Sequence, residues 1–473
     1  MKDLKNINLK YVVFLALVSA MGGLLFGYDW VVIGGAKPFY ERYFDITSSA
    51  AFQGLAMSSA LFGCLIGSAF SGYFTDKYGR KMPLIFAAFL FIFTSIGTGA
   101  FNSFSVFMIF RILGGIGIGI ASNVSPVYIA EISPAHMRGR LVALNQLTIA
   151  IGVLGAQLTN MLIADPVPAG ASDHFIVNSW NGQEGWRWMF WACSIPATLF
   201  FILMWFVPES PRWLAKAGKT DKAFKLFERI GGSEYAKNEM LEIYQTIEKT
   251  ENSGPKEGFV HLFSKQLAPI LILGIVLAVF QQWCGINVIF NYAEEVFSAA
   301  GYGISGTLFN IVLTGSVSLI FTIAAMFMVD KLGRKALMLT GSGGLAIVFV
   351  IIAAGYFMQI KGFFMLFWVV TAIGIYCLTL APITWVLLSE IFPNRVRGHA
   401  MSVATFALWL SCAILTLSFP FLNKAFGASG TFALYAFICF TGFFYLLKKL
   451  PETKGKSLEQ IEMEFTANNT INK

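Results

Sequence analysis

The chain alternates long apolar runs with short polar connections. Runs long enough to cross about 30 Å of hydrocarbon, which takes roughly 20 helical residues, occur at 11–35, 50–74, 82–101, 105–130, 140–163, 185–207, 267–300, 305–329, 335–359, 362–391, 397–422 and 427–449. A backbone in lipid has to satisfy its own hydrogen bonds, so each run is predicted as a helix. The pattern predicts an all-α membrane protein with twelve transmembrane helices.

One run stands apart. Gln281, Gln282, Asn287 and Asn291 interrupt the apolar stretch 267–300 within QQWCGINVIFNY. An amide buried in hydrocarbon without a partner costs on the order of 4–8 kcal/mol by alkane transfer, so these side chains require water, a ligand or neighbouring helices. On one straight helix, Gln281 and Gln282 would point about 240° and 140° away from Asn287. A break at Gly285 would turn both pairs toward one interior, the discontinuous-helix arrangement of transporter sites. Amides in such positions also serve simply to bind helices together.

The polar connections repeat. DKYGRK at Asp76 to Lys81 returns as DKLGRK at Asp330 to Lys335, EISPAHMRG at Glu131 as EIFPNRVRG at Glu390, and PES at Pro208 as PET at Pro451, at offsets of 254, 259 and 243 residues. Echoes at nearly one offset divide the chain into two pseudo-symmetric six-helix bundles. Glu131 and Glu390 close their spans ahead of Arg138 and Arg397, with Pro134 and Pro393 stopping each helix between them. With Asp76, Arg80, Asp330, Arg334 and Glu209 of the PES copy, opposite charges gather at one rim of each half. Such pairs are expected to hold that side shut and to part when it opens.

These boundaries give a first bundle at 1–207, a polar linker at 208–266, a second bundle at 267–450 and a tail at 451–473. Within the linker, Ala223, Leu226, Phe227 and Ile230, then Leu241, Tyr244 and Ile247, recur at helical spacing and predict short amphipathic helices on the cytoplasmic face.

Composition fits a polytopic membrane protein: 56% of residues are hydrophobic and 13% charged, against about 25% charged in soluble domains. The net charge of +8 reflects topology rather than a nucleic-acid partner. If the amino terminus is cytoplasmic, outer connections carry only Lys37, Arg42, Lys361 and Lys424, with Arg187 near a border, and nearly all other basic residues fall inside. Both termini are therefore expected in the cytoplasm, the chain crossing a cell membrane many times. The first apolar run has no small-x-small cleavage stretch and reads as an uncleaved span. All six cysteines lie in apolar runs, and no spacing implies a disulfide framework, metal site or cofactor. The connection at 164–184 is irregular and suggests no function.

Charges also lie inside spans. Asp29 is deep in the first run and Arg111 is near the start of the fourth; because these spans run in opposite directions, both fall in the outer half of the first bundle. Desolvation favours a neutral carboxyl and a nearby guanidinium a charged one, so a change in either alters proton affinity, as proton coupling requires. An aspartate at the aqueous border beside Tyr28 and Trp30 is the plainer alternative. Gly63-x-x-x-Gly67 and Gly115-x-x-x-Gly119 permit close helix approach, and Gly22 to Gly27 would let the first span bend, although packing alone is the plainer reading of these glycines. Pro382 is expected to break the tenth span before Trp385. Trp385 and Trp409 suit the apolar face of a sugar, though a tryptophan in a span is as often packing.

Together, GGLLFGYD, DKYGRK, PESPRWL, QQWCGIN, VDKLGRK, PITWVLLSEIFP and PETKGKSLEQIE resemble the sugar porter family of the major facilitator superfamily, in particular its bacterial xylose–proton symporters and glucose facilitators. The resemblance implies a carrier that encloses one central monosaccharide site and works by alternating access. It implies sugar contacts at Phe26, Gln146, Gln281, Gln282, Asn287, Trp385 and Trp409, and it matches Asp29 and Arg111 to the proton-coupled members. The chain departs from the family pattern at Asn291, Ser318 and Leu408, the last replacing an amide.

The sequence thus predicts a proton-coupled hexose or pentose symporter, functioning as a monomer, whose partners are a monosaccharide, protons and the bilayer. The alternatives are an uncoupled facilitator and a non-transporting sugar sensor; about 23 residues follow Leu450, a short signalling tail. No Ser/His/Asp set, metal-spaced histidines or phosphate loop points to an enzyme.

Overall fold

A residue in a helix advances about 1.5 Å, so the apolar runs become rods of bilayer length. A computed structural model describes residues 7–134, 137–168, 170–252, 262, 264, 267–392 and 396–454, and gives only the backbone of 246–252, Val329, Asp330, Arg397 and Gly398. The first bundle comprises α1 (Leu9–Tyr43), α2 (Ala50–Tyr78), α3 (Lys81–Ala100), α4 (Phe104–Ile132) and α5 (Arg138–Ile163). After the short α6 (Asp173–Asn178), a π-helical turn at Asn181–Gly185 leads into α7 (Trp186–Ala192) and α8 (Ser194–Phe206), which complete the sixth crossing. α9 (Pro211–Lys216) and α10 (Thr220–Asn252) form the linker.

In the second bundle the seventh crossing is divided into α11 (Ala268–Trp283) and α12 (Ile286–Asn291), and is followed by α13 (Ala293–Ala299). Next come α14 (Ile304–Leu332), α15 (Arg334–Phe357), and the tenth crossing as α16 (Phe363–Leu378) and α17 (Leu380–Ile391). α18 (Arg397–Lys449) is 53 residues long, far more than one crossing needs, and breaks at Gly427, φ 64°. Its two arms are the eleventh and twelfth crossings, so the eleven segments long and apolar enough to span a membrane give twelve passages.

Two local shapes follow from packing and from proline. α1 is helical throughout, and Gly22, Gly23 and Gly27 face Ser125, Asn145 and the Ile149 carbonyl. They serve close packing rather than bending. The tenth crossing breaks at Thr379, three residues before Pro382. A proline ring collides with the carbonyl four residues back, so the helix yields ahead of the proline.

The linker stripe is half correct. Ala223, Leu226, Phe227 and Ile230 are buried, and the Ile230 carbonyl accepts from the Asn8 amide at the foot of α1. Beyond them Leu241 and Tyr244 are exposed, while Ala236, Met240 and Ile243 are buried. Gly232, at φ 86°, resets the helical phase between the two stretches. The side chain of Ile247 lies outside the described residues.

Close packing holds α2 against α4. A Cβ on Gly63 would lie 1.9 Å from the Ile112 carbonyl oxygen, and one on Gly115 1.9 Å from that of Ala60. Between bundles, α2 packs on α18 and α5 on α14. Gly63→Val is expected to destabilise the fold by about 1–3 kcal/mol through overpacking, read as a lower apparent Tm in detergent.

Candidate functional site

At Gly285 the backbone is left-handed, φ 95°, and a Cβ there would meet the Tyr435 ring at 2.8 Å. Glycine is therefore required twice over, by conformation and by contact. The break it allows places Gln281, Gln282, Asn287 and Asn291 inside the protein, each less than 10% exposed. Gln282 Nε2 donates to Gln281 Oε1 at 2.9 Å, and Asn287 Nδ2 donates to Gln282 Oε1. Gln281 Nε2 reaches the Ala381 carbonyl of α17 at 3.4 Å. A chain of amides thus runs across the break, joining α11 to α12.

Asp29 and Arg111 meet as expected. Arg111 Nη1 lies 2.8 Å from Asp29 Oδ1, with both side chains buried. The guanidinium also stands 5.5 Å from the centre of the Phe190 ring. Asp29 Oδ2 and Arg111 Nε have no hydrogen-bond partner among the described residues. Each partner therefore retains an unused polar atom for water or another group. A small cavity between the bundles is lined by Trp30, Met57, Cys64, Arg111, Ile118 and Asn291. It brings a member of the ion pair and the last of the amides to one hollow.

Aromatic rings cross the divide. Trp409 on α18 packs 5.7 Å from Phe26 and 5.8 Å from Trp30, both on α1. Trp409 is buried and its Nε1 has no partner among the described residues. Gln146 on α5 and Trp385 on α17 are half-buried. Ser318 Oγ lies 3.2 Å from Cys377 Sγ, and Leu408 is buried. Trp30 is a contact the sequence analysis reads only as an interfacial aromatic; its four-residue spacing from Phe26 is the signal that places both on one helix face.

The rim charges are arranged differently from expectation. Arg80 Nη2 pairs with Glu131 Oε1 at 2.8 Å, and Arg334 Nη2 with Glu390 Oε1 at 3.0 Å. The second oxygen of each glutamate accepts from Ser210 or Thr453, the third residue of the PES and PET copies. Glu209 takes the Arg80 amide and Glu452 the Arg334 amide, against Gly79 and Gly333, both at positive φ. A Cβ on Gly79 would lie 2.2 Å from Glu209 Oε2, and one on Gly333 2.8 Å from Glu452 Oε2.

These pairs staple helices within each bundle, and no described ion pair joins the two rims. Glu131 bonds Arg80 and Ser210 rather than Arg138, and Asp76 is exposed, 3.9 Å from Lys216. The side chains of Asp330 and Arg397, and all of Pro393, lie outside the described residues. The ion pairs that do cross between bundles lie at the opposite face. There Lys37, which the sequence places in an outer connection, is 2% exposed and meets Glu294 and Glu295.

The two rim copies titrate in opposite directions. Burial pushes the Glu209 carboxyl up, outweighing its N–H donors. Glu452 is also raised by desolvation, but four backbone N–H donors outweigh it and hold the carboxyl below its ordinary value of 4.5.

Over residues 15–465 the chain matches the family described as Sugar (and other) transporter. The chain belongs to this sugar transporter family. It is 36% identical over 456 residues to the arabinose-proton symporter of Bacillus subtilis (strain 168), covering 96% of this chain and 95% of the relative. It is 36% identical over 485 residues to the D-xylose-proton symporter of Escherichia coli (strain K12), covering 96% of each. The inward open conformation of the xylose transporter XylE from E. coli superposes with a TM-score of 0.83 at 34% identity, covering 96% of this chain and 100% of that one. XylE bound to 6-bromo-6-deoxy-D-glucose gives a TM-score of 0.80 at 35% identity, covering 97% and 100%. As a member of the sugar transporter family this chain is a transporter, not an enzyme, with the twelve-helix major facilitator fold.

Removing one member of a buried ion pair strands the other. Arg111→Leu in this sugar transporter family member is expected to cost about 3–5 kcal/mol of stability, with much of the loss recovered when Asp29→Asn is added, as measured by thermal unfolding of the purified protein. At the rim, Glu452 adds stability above pH 4.5 that is lost as pH falls through its depressed folded value. Glu452→Gln is expected to lower the Tm at pH 7, and the difference from the unsubstituted protein is expected to narrow below pH 4.5.

Proposed function

We propose that the chain is a proton-coupled monosaccharide symporter that works by alternating access. The observation that carries this reading is the shared cavity, which both Arg111 and Asn291 line. A ligand hydroxyl held by Asn291 at one side of it alters water and charge around Arg111 at the other, and through the Arg111–Asp29 pair the proton affinity of Asp29, which couples sugar to proton. Asp29 carries the proton and Arg111 tunes its affinity. Gln146, Gln281, Gln282, Asn287 and Asn291 hold sugar hydroxyls, while Phe26, Trp385 and Trp409 face its apolar C–H surface. The names of the arabinose-proton and D-xylose-proton relatives support the class of cargo and the coupling ion.

The bundles 1–207 and 267–450 rock about the linker 208–266, and the protein acts as a monomer in the cell membrane. The rim bearing the basic loops faces the cytoplasm, by the positive-inside rule, with both termini on that side. The state described, joined across the outer face by ion pairs, then opens inward. In proteoliposomes, Asp29→Asn is expected to abolish accumulation driven by a pH gradient while keeping sugar counterflow. Gradient-driven uptake that survives the substitution unchanged would identify an uncoupled facilitator. Gln281→Ala is expected to weaken sugar binding about 5–150-fold, the loss of roughly one to three kcal/mol of hydroxyl bonding.

A further inference from the structure

The sealed face carries a network whose residues the transport reading gives no individual role. Lys37 Nζ, 2% exposed, lies 3.0 Å from Glu41 Oε2 one turn along α1, 3.5 Å from Glu294 Oε2 and 2.6 Å from Glu295 Oε1 on α13. Arg42 Nη1 reaches Glu294 Oε1 at 3.1 Å, and its Nε reaches Asp173 at 2.7 Å. The Lys37 ammonium also stands 5.8 Å from the centre of the Tyr292 ring, between α12 and α13. A second observation lies one turn closer to the site. A Cβ on Gly34 would lie 2.8 Å from the Phe290 carbonyl oxygen, so α1 and α12 touch backbone to backbone.

Both sides of this contact lead directly into the site. α1 carries Phe26, Asp29 and Trp30 below Lys37, and α12 carries Asn287 and Asn291 just before Glu294. The ion pairs thus link α13, which follows directly on the broken seventh crossing, to the helix that carries the coupling aspartate. An ammonium buried among carboxylates of both bundles is satisfied only while the bundles are together; separation exposes it to water.

We propose that Lys37 is a positioning residue for the transport cycle. By binding Glu294 and Glu295 it docks α12 and α13 onto α1 and closes the sugar site on this face. The proposal rests on the transport reading for its meaning, but its structural test needs no substrate. Cys64, a fully buried thiol, lines the cavity beneath the contact.

The test uses the whole protein in nanodiscs, with a bulky maleimide as probe and mass spectrometry to quantify label on Cys64. Lys37→Gln is expected to speed labelling by about tenfold or more, the shift expected when one state loses a buried ion pair. Glu294→Gln combined with Glu295→Gln is expected to do the same and serves where Lys37→Gln fails to fold. In counterflow, Lys37→Gln is expected to lower both the external KM and kcat, because the outward-facing site is more populated and closes more slowly. Damage to the fold would instead reduce active molecules at unchanged KM. Unchanged Cys64 labelling in the lysine and glutamate variants would overturn the proposal. Absent counterflow in the unsubstituted protein, with labelling still raised by Lys37→Gln, would overturn the transport reading and leave the docking role standing.

Discussion

A polar group carried into a membrane span has to find its partner inside the protein, and this constraint organises the chain. Asp29 meets Arg111, Gln281 to Asn287 form a chain of amides, and the Lys37 ammonium is surrounded by carboxylates. None of these groups is placed against lipid. The result is a polar seam between two apolar bundles, with large aromatic and aliphatic side chains such as Phe86, Ile195, Phe327 and Phe357 left on the outside. A seam of this kind is separable, because water can replace each partner when the bundles part, whereas an apolar seam would gain nothing from wetting.

The two halves repeat one rim device. In each, a positive-φ glycine turns the chain against a glutamate carboxylate, an arginine pairs with a second glutamate, and a serine or threonine hydroxyl completes that glutamate's bonding. This ties the helices of each bundle together at its base. The opposite face has no such repeat. Lys37, Glu294 and Glu295 join the bundles directly, and Asp173 of the irregular connection adds a contact through Arg42. Internal staples at one end and crossing pairs at the other make a structure that can hinge.

Broken helices supply the local freedom. The seventh crossing breaks at Gly285 and the tenth at Thr379, and the two breaks approach each other where Gln281 reaches the Ala381 carbonyl. Helix ends freed in the interior give carbonyls and amides that a continuous helix would have used internally. The short pieces beyond the breaks can shift without dragging a whole span.

The sequence by itself determined the helices and the duplication, and it allowed the break at Gly285 and placed Asp29 and Arg111 at one depth. Each is a local or periodic property: span length, repeat offset, the spacing of amides about a glycine, and the depth of a charge in its run. The break ahead of Pro382 was displaced by three residues, since the clash falls on the preceding turn. The linker stripe lost its phase at Gly232, because a positive-φ residue leaves no periodic trace in its neighbours. Only the tertiary structure decided which charges pair. Glu131 and Arg138 are neighbours in sequence, yet Glu131 bonds Arg80 from another helix; Lys37 looks like a loop charge until α13 brings two carboxylates to it. Pairing across distant segments depends on how helices are arranged side by side, and composition and periodicity along one strand of chain carry no record of that.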